Sequence, residues 1–556
     1  MRWNSTSKWI ELTGTLHLSN EQVVGSDTTA PYQFTLSGLA AGTYKLRAVA
    51  TDRRGAQATS ATVTVTVRRA PDSPASVTRS YVYDQYQRLC KSIEPESGAT
   101  VVDYDAAGNV IWSASGLSLP STTSCDRDQV PASAKVVRTY TVRNQVDTVS
   151  FPDGQGDQVF SYTPDGLLEA VATNNSAGGD TVINSYIYNH RRLMTLERLE
   201  AAGTTSDYTY SYDTNGNLSS NTWDGVTVDY APNALGQPTK VGSYASAVSY
   251  YPNGAIQQFT YGNGIVHTMQ QNGRQLPETS TDMLGDVRPL DSSYAYDANG
   301  NVKSITDHSP GSRRSVSMSY DAQDRLIYAS SPMFGTAAYD YDALDNLISQ
   351  QVSGGNSARN YWYVYNPQNR LASITEGPDG ATIVGLDYDT HGNLKNKNGV
   401  LYGFDTGNRL RSVSGEKDAY LYDGHGRRVL DTVNGVAKHS HYNSGGQLVM
   451  ASDARTNAIS DYVYLGGSLV AIRERSTGGG AATVKYQHTD ALGSPVAVTD
   501  QARHRGDQRV RALRQGGQSR GEGRAGVYRA RAGCCDGHDV YAAALLRSNA
   551  GGVLEH

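Results

Sequence analysis

The stretch from residue 296 to residue 410 repeats one short pattern, and this repetition constrains the fold more than any other feature of the chain. Each copy is an aromatic residue, an acidic or amide residue, a polar turn and then an aliphatic residue. The copies begin at Tyr296, Tyr320, Tyr341, Tyr365, Tyr388 and Phe404, at intervals of 24, 21, 24, 23 and 16 residues. Self-similarity at a period near ~20 residues indicates an array of stacked repeats rather than a set of independent domains.

Each copy has the chemistry of a tight β-hairpin. Asn-Gly, Gly-Asn and Asp-Asn pairs tolerate the positive φ that a hairpin turn requires, and the acidic residue can accept hydrogen bonds from backbone N–H groups two residues on. Alternating runs between the turns, such as residues 315–320 and 360–365, predict strands. Because an isolated two-stranded ribbon is marginal in water, we expect neighbouring copies to stack and bury their shared faces.

Repetition of Tyr-Asp-x-x-Gly-Asn-Leu over about residues 77–500 resembles the YD repeat of bacterial RHS proteins and of the teneurin ectodomain. The resemblance implies an all-β fold, a YD-repeat β-solenoid or curled shell of stacked β-hairpins, which in RHS toxins encloses a C-terminal toxic domain. The repeat residues expected to have structural roles are Tyr104, Asp105, Tyr212, Asp213, Tyr296, Asp297, Tyr320, Asp321, Tyr341, Asp342, Tyr388, Asp389, Tyr422 and Asp423. Asp213 and Asp297 also begin calcium-loop-like pieces, but the remaining ligands are missing, which favours the turn interpretation.

The chain outside the array divides into four further segments. Residues 1–70 contain three alternating runs, at 26–36, 42–52 and 61–67, and predict a partial Ig-like β-sandwich segment. An extra β-segment of the main array is the alternative. Residues 71–80 predict a linker and residues 81–460 the repeat array, while residues 461–503 resemble the start of the RHS-associated core.

The core-like segment supplies the remaining candidate residues. Its motif residues are Tyr464, Gly466, Gly467, His488, Asp490 and Gly493. His488 and Asp490 are an acid–base or metal pair in one interpretation, but a structural role in a strand and its turn is favoured. Cys90 and Cys125 are candidates for a disulfide, with two unpaired thiols as the alternative.

Residues 504–556 lack the repeat pattern and carry an unusual charge. Residues 501–556 hold ten arginines and no lysine, for a local net charge of +5. With codons chosen from the degenerate set and read one base later, residues 510–516 become Tyr-Ala-Pro-Tyr-Gly-Lys and residues 544–551 contain Arg-Tyr-Tyr-Asp-Pro-Met-Leu, both typical of the RHS-associated core. We therefore predict a C-terminally frameshifted or truncated fragment whose residues 504–556 are an out-of-frame, disordered tail. This explains the basic end without nucleic-acid binding.

The motifs of the sequence favour a structural function. The sequence has no phosphate-binding loop, zinc-binding helix or nucleophile elbow, so we expect no enzyme activity, cofactor or metal. No apolar run approaches ~20 residues, so no membrane span is expected. The prediction is a shell fragment of a bacterial RHS-type polymorphic toxin or cell-surface protein, secreted or at the cell surface, although no signal peptide is visible. Its partners would be upstream and downstream shell segments or an enclosed toxin domain. The alternative is a carbohydrate-binding adhesin that binds cell-surface glycans.

Overall fold

The structure is a computed structural model that describes residues 12–18, 23–27, 42–52, 55–67, 76–176, 180–354, 358–414 and 419–506. The chain divides into two compact units, residues 1–72 and residues 73–556. Within the described residues, helix is limited to two short 3-10 turns, Arg127–Gln129 and Ala132–Ala134. The predicted all-β fold is therefore confirmed.

The first unit contains one antiparallel sheet. Its strands are β1 (Leu12–Leu18), β2 (Val23–Asp27), β3 (Gly42–Asp52), β4 (Gln57–Thr59) and β5 (Val63–Val67). Strand β1 lies between β2 and β3, and the other edge of β3 pairs with β5 along its first half and with β4 along its second half. Residues 28–36, most of the first predicted strand, lie outside the described residues. The partial Ig-like sandwich stays a prediction.

The second unit contains three long antiparallel sheets. The first has 13 strands: β6 (Ser80–Tyr83), β7 (Leu89–Glu94), β8 (Gly98–Tyr104), β9 (Val110–Leu117), β10 (Val136–Tyr140), β11 (Val146–Ser150), β12 (Gln158–Tyr162), β13 (Leu168–Asn174), β14 (Thr181–Tyr188), β15 (Met194–Ala201), β16 (Thr204–Tyr212), β17 (Leu218–Trp223) and β18 (Val226–Asp229). 

The second sheet has 16 strands: β19 (Ala245–Tyr250), β20 (Ile256–Tyr261), β21 (Val266–Gln271), β22 (Pro277–Leu284), β23 (Val287–Tyr296), β24 (Val302–Asp307), β25 (Val316–Tyr320), β26 (Leu326–Ser331), β27 (Gly335–Tyr341), β28 (Leu347–Ser353), β29 (Arg359–Tyr365), β30 (Leu371–Glu376), β31 (Thr382–Tyr388), β32 (Leu394–Lys397), β33 (Val400–Phe404) and β34 (Leu410–Val413). The third has nine: β35 (Ala419–Tyr422), β36 (Arg428–Val433), β37 (Val436–Tyr442), β38 (Leu448–Asp453), β39 (Ala458–Leu465), β40 (Ser468–Ser476), β41 (Thr483–Thr489), β42 (Pro495–Thr499) and β43 (Arg505–Gly506).

Within each of these sheets every strand pairs with its neighbours in sequence, as expected for stacked hairpins. The array is interrupted between β18 and β19, where Pro232 and Pro238 form only an isolated bridge. A proline has no N–H to donate to a sheet ladder, which explains the interruption at this copy. Strand β43 ends the described part of the chain, so residues 507–556, most of the predicted tail, lie outside it.

The wall formed by these sheets curls until later strands return to earlier ones. Ser115 contacts His391 and Tyr186 contacts His425, at sequence separations of 276 and 239 residues. Further along, Arg314 reaches Val496 at a separation of only 182 residues. The separation between contacting residues therefore falls along this contact. We call residues 96–314 the first winding, residues 369–503 the second winding, and the contact between them the seam.

The buried apolar side chains of the described residues form six separate clusters, as expected for a wall rather than a solid globule. The largest cluster joins strands β16–β20 of the first winding to strands β38–β41 of the second. It includes Trp223, Phe259 and Tyr261 from one side and Leu465 and Tyr486 from the other. The seam therefore contains the main hydrophobic core as well as polar contacts.

Candidate functional site

The aspartate of each repeat organises its turn. In six copies one carboxylate oxygen accepts backbone hydrogen bonds from the residues two and four positions later, at 2.8–3.0 Å; these are Asp105, Asp213, Asp321, Asp342, Asp389 and Asp423. The other oxygen accepts from the Asn or Arg side chain four positions later, and Asp297 makes this contact at 3.0 Å. The carboxylates are thus used to close turns.

The residue three positions after the aspartate has a left-handed backbone. It is glycine in several copies, such as Gly216 with a φ of 91° and Gly300 with a φ of 95°. Asp324 and Asp345 take the same position with φ values of 58° and 65°. A three-residue hairpin loop with a left-handed third residue closes the strands with a bulge, and the register shifts at the tyrosine in each copy, as at Tyr212 opposite Leu218.

In at least eight of the copies the tyrosine connects its copy to the preceding one. Its hydroxyl donates to the backbone carbonyl of the residue just after the preceding turn, at 2.6–3.0 Å. The donors are Tyr104, Tyr212, Tyr296, Tyr320, Tyr341, Tyr388, Tyr422 and Tyr464, and their acceptors are Leu89, Met194, Pro277, Val302, Leu326, Leu371, Leu410 and Leu448. The tyrosines therefore pack from copy to copy and do not converge on one pocket.

The arginines of the turns add a second connection between copies. Arg325 donates to the carbonyl of Asp342 in the next turn at 3.1 Å, and its guanidinium lies 4.9 Å from the ring centroid of Tyr341. Arg370 repeats both contacts with Asp389 and Tyr388, at 3.2 and 5.3 Å. These cations are engaged in the wall itself.

The carboxylates of the turns do not gather into a metal site. Across the part of the chain that the structure describes, no group of three or more His, Cys, Asp or Glu side chains is arranged to hold a metal ion. Asp213 and Asp297 accept hydrogen bonds from their own turns, which is the turn interpretation favoured by the sequence.

The structure separates His488 from Asp490. Asp490 accepts backbone hydrogen bonds from Leu492 and Ser494 at 3.0 and 2.9 Å, and so closes the turn between β41 and β42. Gly493 takes the left-handed position of this turn with a φ of 81°. Burial raises the pKa of Asp490 above its ordinary value, against the two backbone hydrogen bonds.

The adjacent glycines of the core motif lie at the seam. Gly466 and Gly467 form the turn between β39 and β40 with φ values of 56° and 89°. A Cβ atom on Gly466 would lie 3.2 Å from the side chain of Ile256 in the first winding. The close approach of the two windings therefore favours glycine at this point of the core motif.

His488 instead binds an aspartate of the first winding. Its Nδ1 lies 2.7 Å from Oδ2 of Asp282, and its Nε2 lies 2.8 Å from Oγ1 of Thr499. The other oxygen of Asp282 lies 2.6 Å from Nδ1 of His267. Burial acts to raise the pKa of Asp282, but the charges and hydrogen bonds of the two histidines outweigh it and lower this pKa to about 2. Both Asp282 and His488 are 0% exposed, so this pair holds the two windings together inside the seam.

The sequence motifs do not indicate Asp282. It lies outside the YD pattern, and 206 residues separate it from His488. A local pattern identifies His488 as unusual but carries no information on which distant strand returns to it.

The two candidate cysteines are bonded. Cys90 and Cys125 form a disulfide that ties the loop after β9 to strand β7. Next to it the buried Lys91 forms an ion pair with Asp126. Together they fasten this loop across the first hairpins of the array.

The edge strand β6 presents an aromatic surface. Tyr81, Tyr83 and Tyr86 are 53%, 59% and 69% exposed. Among the described residues, no copy precedes Tyr83 to accept its hydroxyl in the way that Leu89 accepts Tyr104.

One small cavity at the seam is lined by Leu290, Ser292, Tyr294, Ile305, Asp307, Arg314, Asp490 and Val496. Arg314 forms an ion pair with Asp307 and donates to the carbonyls of Pro289 and Val496, so its charge is used for structure. Within the described ranges, no helix has the length and apolar character needed to cross a bilayer.

The repeated turns, the tyrosine contacts and the curled antiparallel wall define the class of a YD-repeat shell. The family model described as Teneurin YD-shell matches residues 243–511. This match agrees with the resemblance to RHS/YD-repeat proteins that the sequence predicts.

Solved structures share the fold. The Photorhabdus luminescens Tc holotoxin pore has a TM-score of 0.52 at 15% identity, over 83% of this chain and 27% of that chain. A TcdB2-TccC3-Cdc42 crystal structure has a TM-score of 0.54 with the same identity and coverage.

Two curated proteins share part of the sequence. The tRNA3(Ser)-specific nuclease WapA of Bacillus spizizenii and the tRNA nuclease WapA of Bacillus subtilis are 26% and 25% identical over 207 residues. The aligned region is 36% of this chain and 8% of each relative. The chain thus spans a small part of the curated relatives and about a quarter of the structural ones.

Proposed function

We propose that the chain is a non-catalytic segment of a shell that carries or encloses a toxin domain in an exported bacterial protein. The observation that carries the proposal is the tyrosine ladder, because in at least eight copies it joins the copy to the one before it and so links successive hairpins into a wall. The arginines and carboxylates of the turns have partners within this wall, which supports a structural role.

The features of edge strand β6 support the proposal that the chain is part of a larger shell. The tyrosine of a repeat is covered when a preceding copy supplies its acceptor, whereas Tyr83 is 59% exposed. Strand β6 also presents an unpaired sheet edge among the described residues. An adjoining shell segment would cover both features by adding a strand.

The Cys90–Cys125 disulfide supports an exported or cell-surface location. Disulfides persist in oxidising compartments and are rare in reducing ones.

A carbohydrate-binding adhesin is the second candidate. The exposed rings of Tyr81, Tyr83 and Tyr86 favour it, since aromatic faces and phenol hydroxyls suit the surfaces of sugars.

Two measurements distinguish the candidates. The full chain, co-expressed with the segments encoded on either side of it, should form one complex that protects a downstream reporter domain from protease. The chain alone should show no signal on a glycan array. Glycan binding that is lost in Tyr81→Ala and Tyr83→Ala, without assembly or protection, would establish the adhesin instead.

A further inference from the structure

The seam contains one histidine that is deeply buried and lacks an available counter-ion. His441 on β37 is 4% exposed, and its ring packs edge-on against Tyr208 of β16, with 6.3 Å between ring centroids. It therefore lies between the second winding and the first, in a contact that depends on both.

The carboxylates around His441 are already engaged. Asp207 of β16 binds Arg198 through two hydrogen bonds of 2.7 and 2.8 Å. Asp423, in the repeat turn before β36, binds Arg427 at 2.7 Å. Glu197 of β15 lies opposite Tyr208 in the sheet, is also 4% exposed, and accepts a hydrogen bond from Tyr210.

Among the charges around His441, that of Arg427 has the largest effect on the pKa of the ring, and it is positive. Burial and the charge of Arg427 together lower the pKa of His441 to about 4, against the opposing effects of Asp207 and Asp423. A proton on this ring would add a second buried positive charge beside the guanidinium.

Two other histidines of the seam, His488 and His267, do have a carboxylate beside them. His488 and His267 share the carboxylate of Asp282, which would accompany a proton on either ring.

His425 meets Tyr186 of the first winding, and burial and the charge of Arg427 lower its pKa, although the residue lies at the surface. Burial also lowers the pKa of His439, on the same strand as His441. His441 is the most buried of these three histidines and packs directly on the first winding, so the effect of acid is expected to be largest there.

We propose that His441 makes the seam acid-sensitive, so that its protonation separates β37 from β16 and loosens the second winding from the first. This proposal does not depend on the proposed function, because the separation can be measured directly. The wall then opens at the contact between β37 and β16.

The titration of the His441 ring determines how the stability of the closed seam changes with pH. The pKa of His441 is lower in the closed seam than in the released state, so its contribution to closure is complete above about pH 6.5 and is lost as pH falls toward 4. A pKa of about 4 in the closed seam against 6.5 when released favours release roughly thirtyfold more at about pH 5 than at about pH 7.5.

Glu197 acts in the other direction. Burial raises its pKa despite the hydrogen bond from Tyr210, so the closed seam takes up a proton at Glu197 as the pH falls. This opposes the effect of His441 and reduces the net change.

Hydrogen exchange of the full chain at about pH 7.5 and about pH 5, corrected for intrinsic rates, tests the proposal. Exchange in β16 and β37 should rise at least roughly fivefold in acid relative to β27–β29. His441→Gln should lose this rise, while His190→Gln, on an exposed turn, should keep it. An acid rise that is absent from the wild type, or that survives in His441→Gln, overturns the proposal.

A second variant retains His441 and covers the case in which His441→Gln fails to fold. Glu197→Gln removes the opposing proton uptake and should shift the opening of the seam to higher pH. Because this variant keeps His441, a loss of the acid-induced opening in Glu197→Gln would contradict the proposal.

Discussion

The tyrosine of a repeat has a different environment according to the copy that precedes it. Tyr341 donates its hydroxyl to Leu326 at 2.9 Å, whereas Tyr83 has no preceding copy within the described residues. Tyr341 and Tyr83 therefore form a matched pair for mutation, since they occupy the same motif position and differ in whether a preceding copy accepts the hydroxyl.

Tyr341→Phe should lower the free energy of unfolding by about 1 kcal/mol, because it removes one hydroxyl–carbonyl hydrogen bond and leaves the acceptor unpaired. Tyr83→Phe should have no measurable effect. Urea unfolding of both variants and the wild type measures the difference. Equal losses would show that the ladder contact with Leu326 does not stabilise the wall.

Residues within a motif were predictable to different degrees. Asp213 is a turn residue on sequence alone, since its neighbours include the Asn-Gly pair that a left-handed position needs. The role of Asp282 was not predictable, because its partner His488 comes from another winding and the curvature that joins them is set by the twist of many strands.

At the scale of an element, the loop of residues 118–135 is held against the first hairpins at two neighbouring points. The Cys90–Cys125 disulfide closes a loop of 35 residues, and Lys91 pairs with Asp126 beside it. Spacing alone left the two cysteines open as a pair or as free thiols, because sequence separation does not fix the distance between Cα atoms.

Cys125→Ser should destabilise the second unit by about 3–4 kcal/mol through the larger conformational freedom of its unfolded chain. Thermal unfolding with and without reductant measures this change. Reductant should lower the melting temperature of the wild type to that of the variant and leave the variant unaffected. A variant that is still sensitive to reductant would show that another bond is responsible.

The elements themselves follow closely from the local pattern. The predicted strands at 315–320 and 360–365 are observed as Val316–Tyr320 and Arg359–Tyr365, because alternation and turn residues act over a few positions. The interruption at residues 230–244 was harder to foresee, since its prolines were compatible with turn positions on sequence alone.

At the scale of the whole molecule, single polar side chains join the windings. Asn175 accepts the N–H of Tyr422 at 2.7 Å and donates to the carbonyl of the same residue at 2.9 Å, across 247 residues. It is 3% exposed, so both backbone groups depend on it for hydrogen bonds.

Asn175→Ala should lower stability by about 2–3 kcal/mol, because it leaves two buried backbone groups without partners. Hydrogen exchange should increase in residues 419–444 more than in the second sheet. Asn215→Ala, on an exposed turn tip, should change neither quantity. A uniform increase across all three sheets would show that the seam has no separate stability.

Because the second winding is synthesised after the first, the seam cannot form until late in the synthesis of the protein. His391, the seam partner of Ser115, is made 276 residues later, which takes roughly 14–55 s at roughly 5–20 residues per second. The strands that cover Trp223 and Phe259, β38–β41, are made later still, and until then these apolar groups of the first winding are exposed to the cytosol. Ribosome-bound chains stalled with residue 360 outside the exit tunnel should be cleaved by protease within residues 140–230, and chains released to residue 506 should resist. Resistance at the earlier point would mean that the first winding folds without its cover.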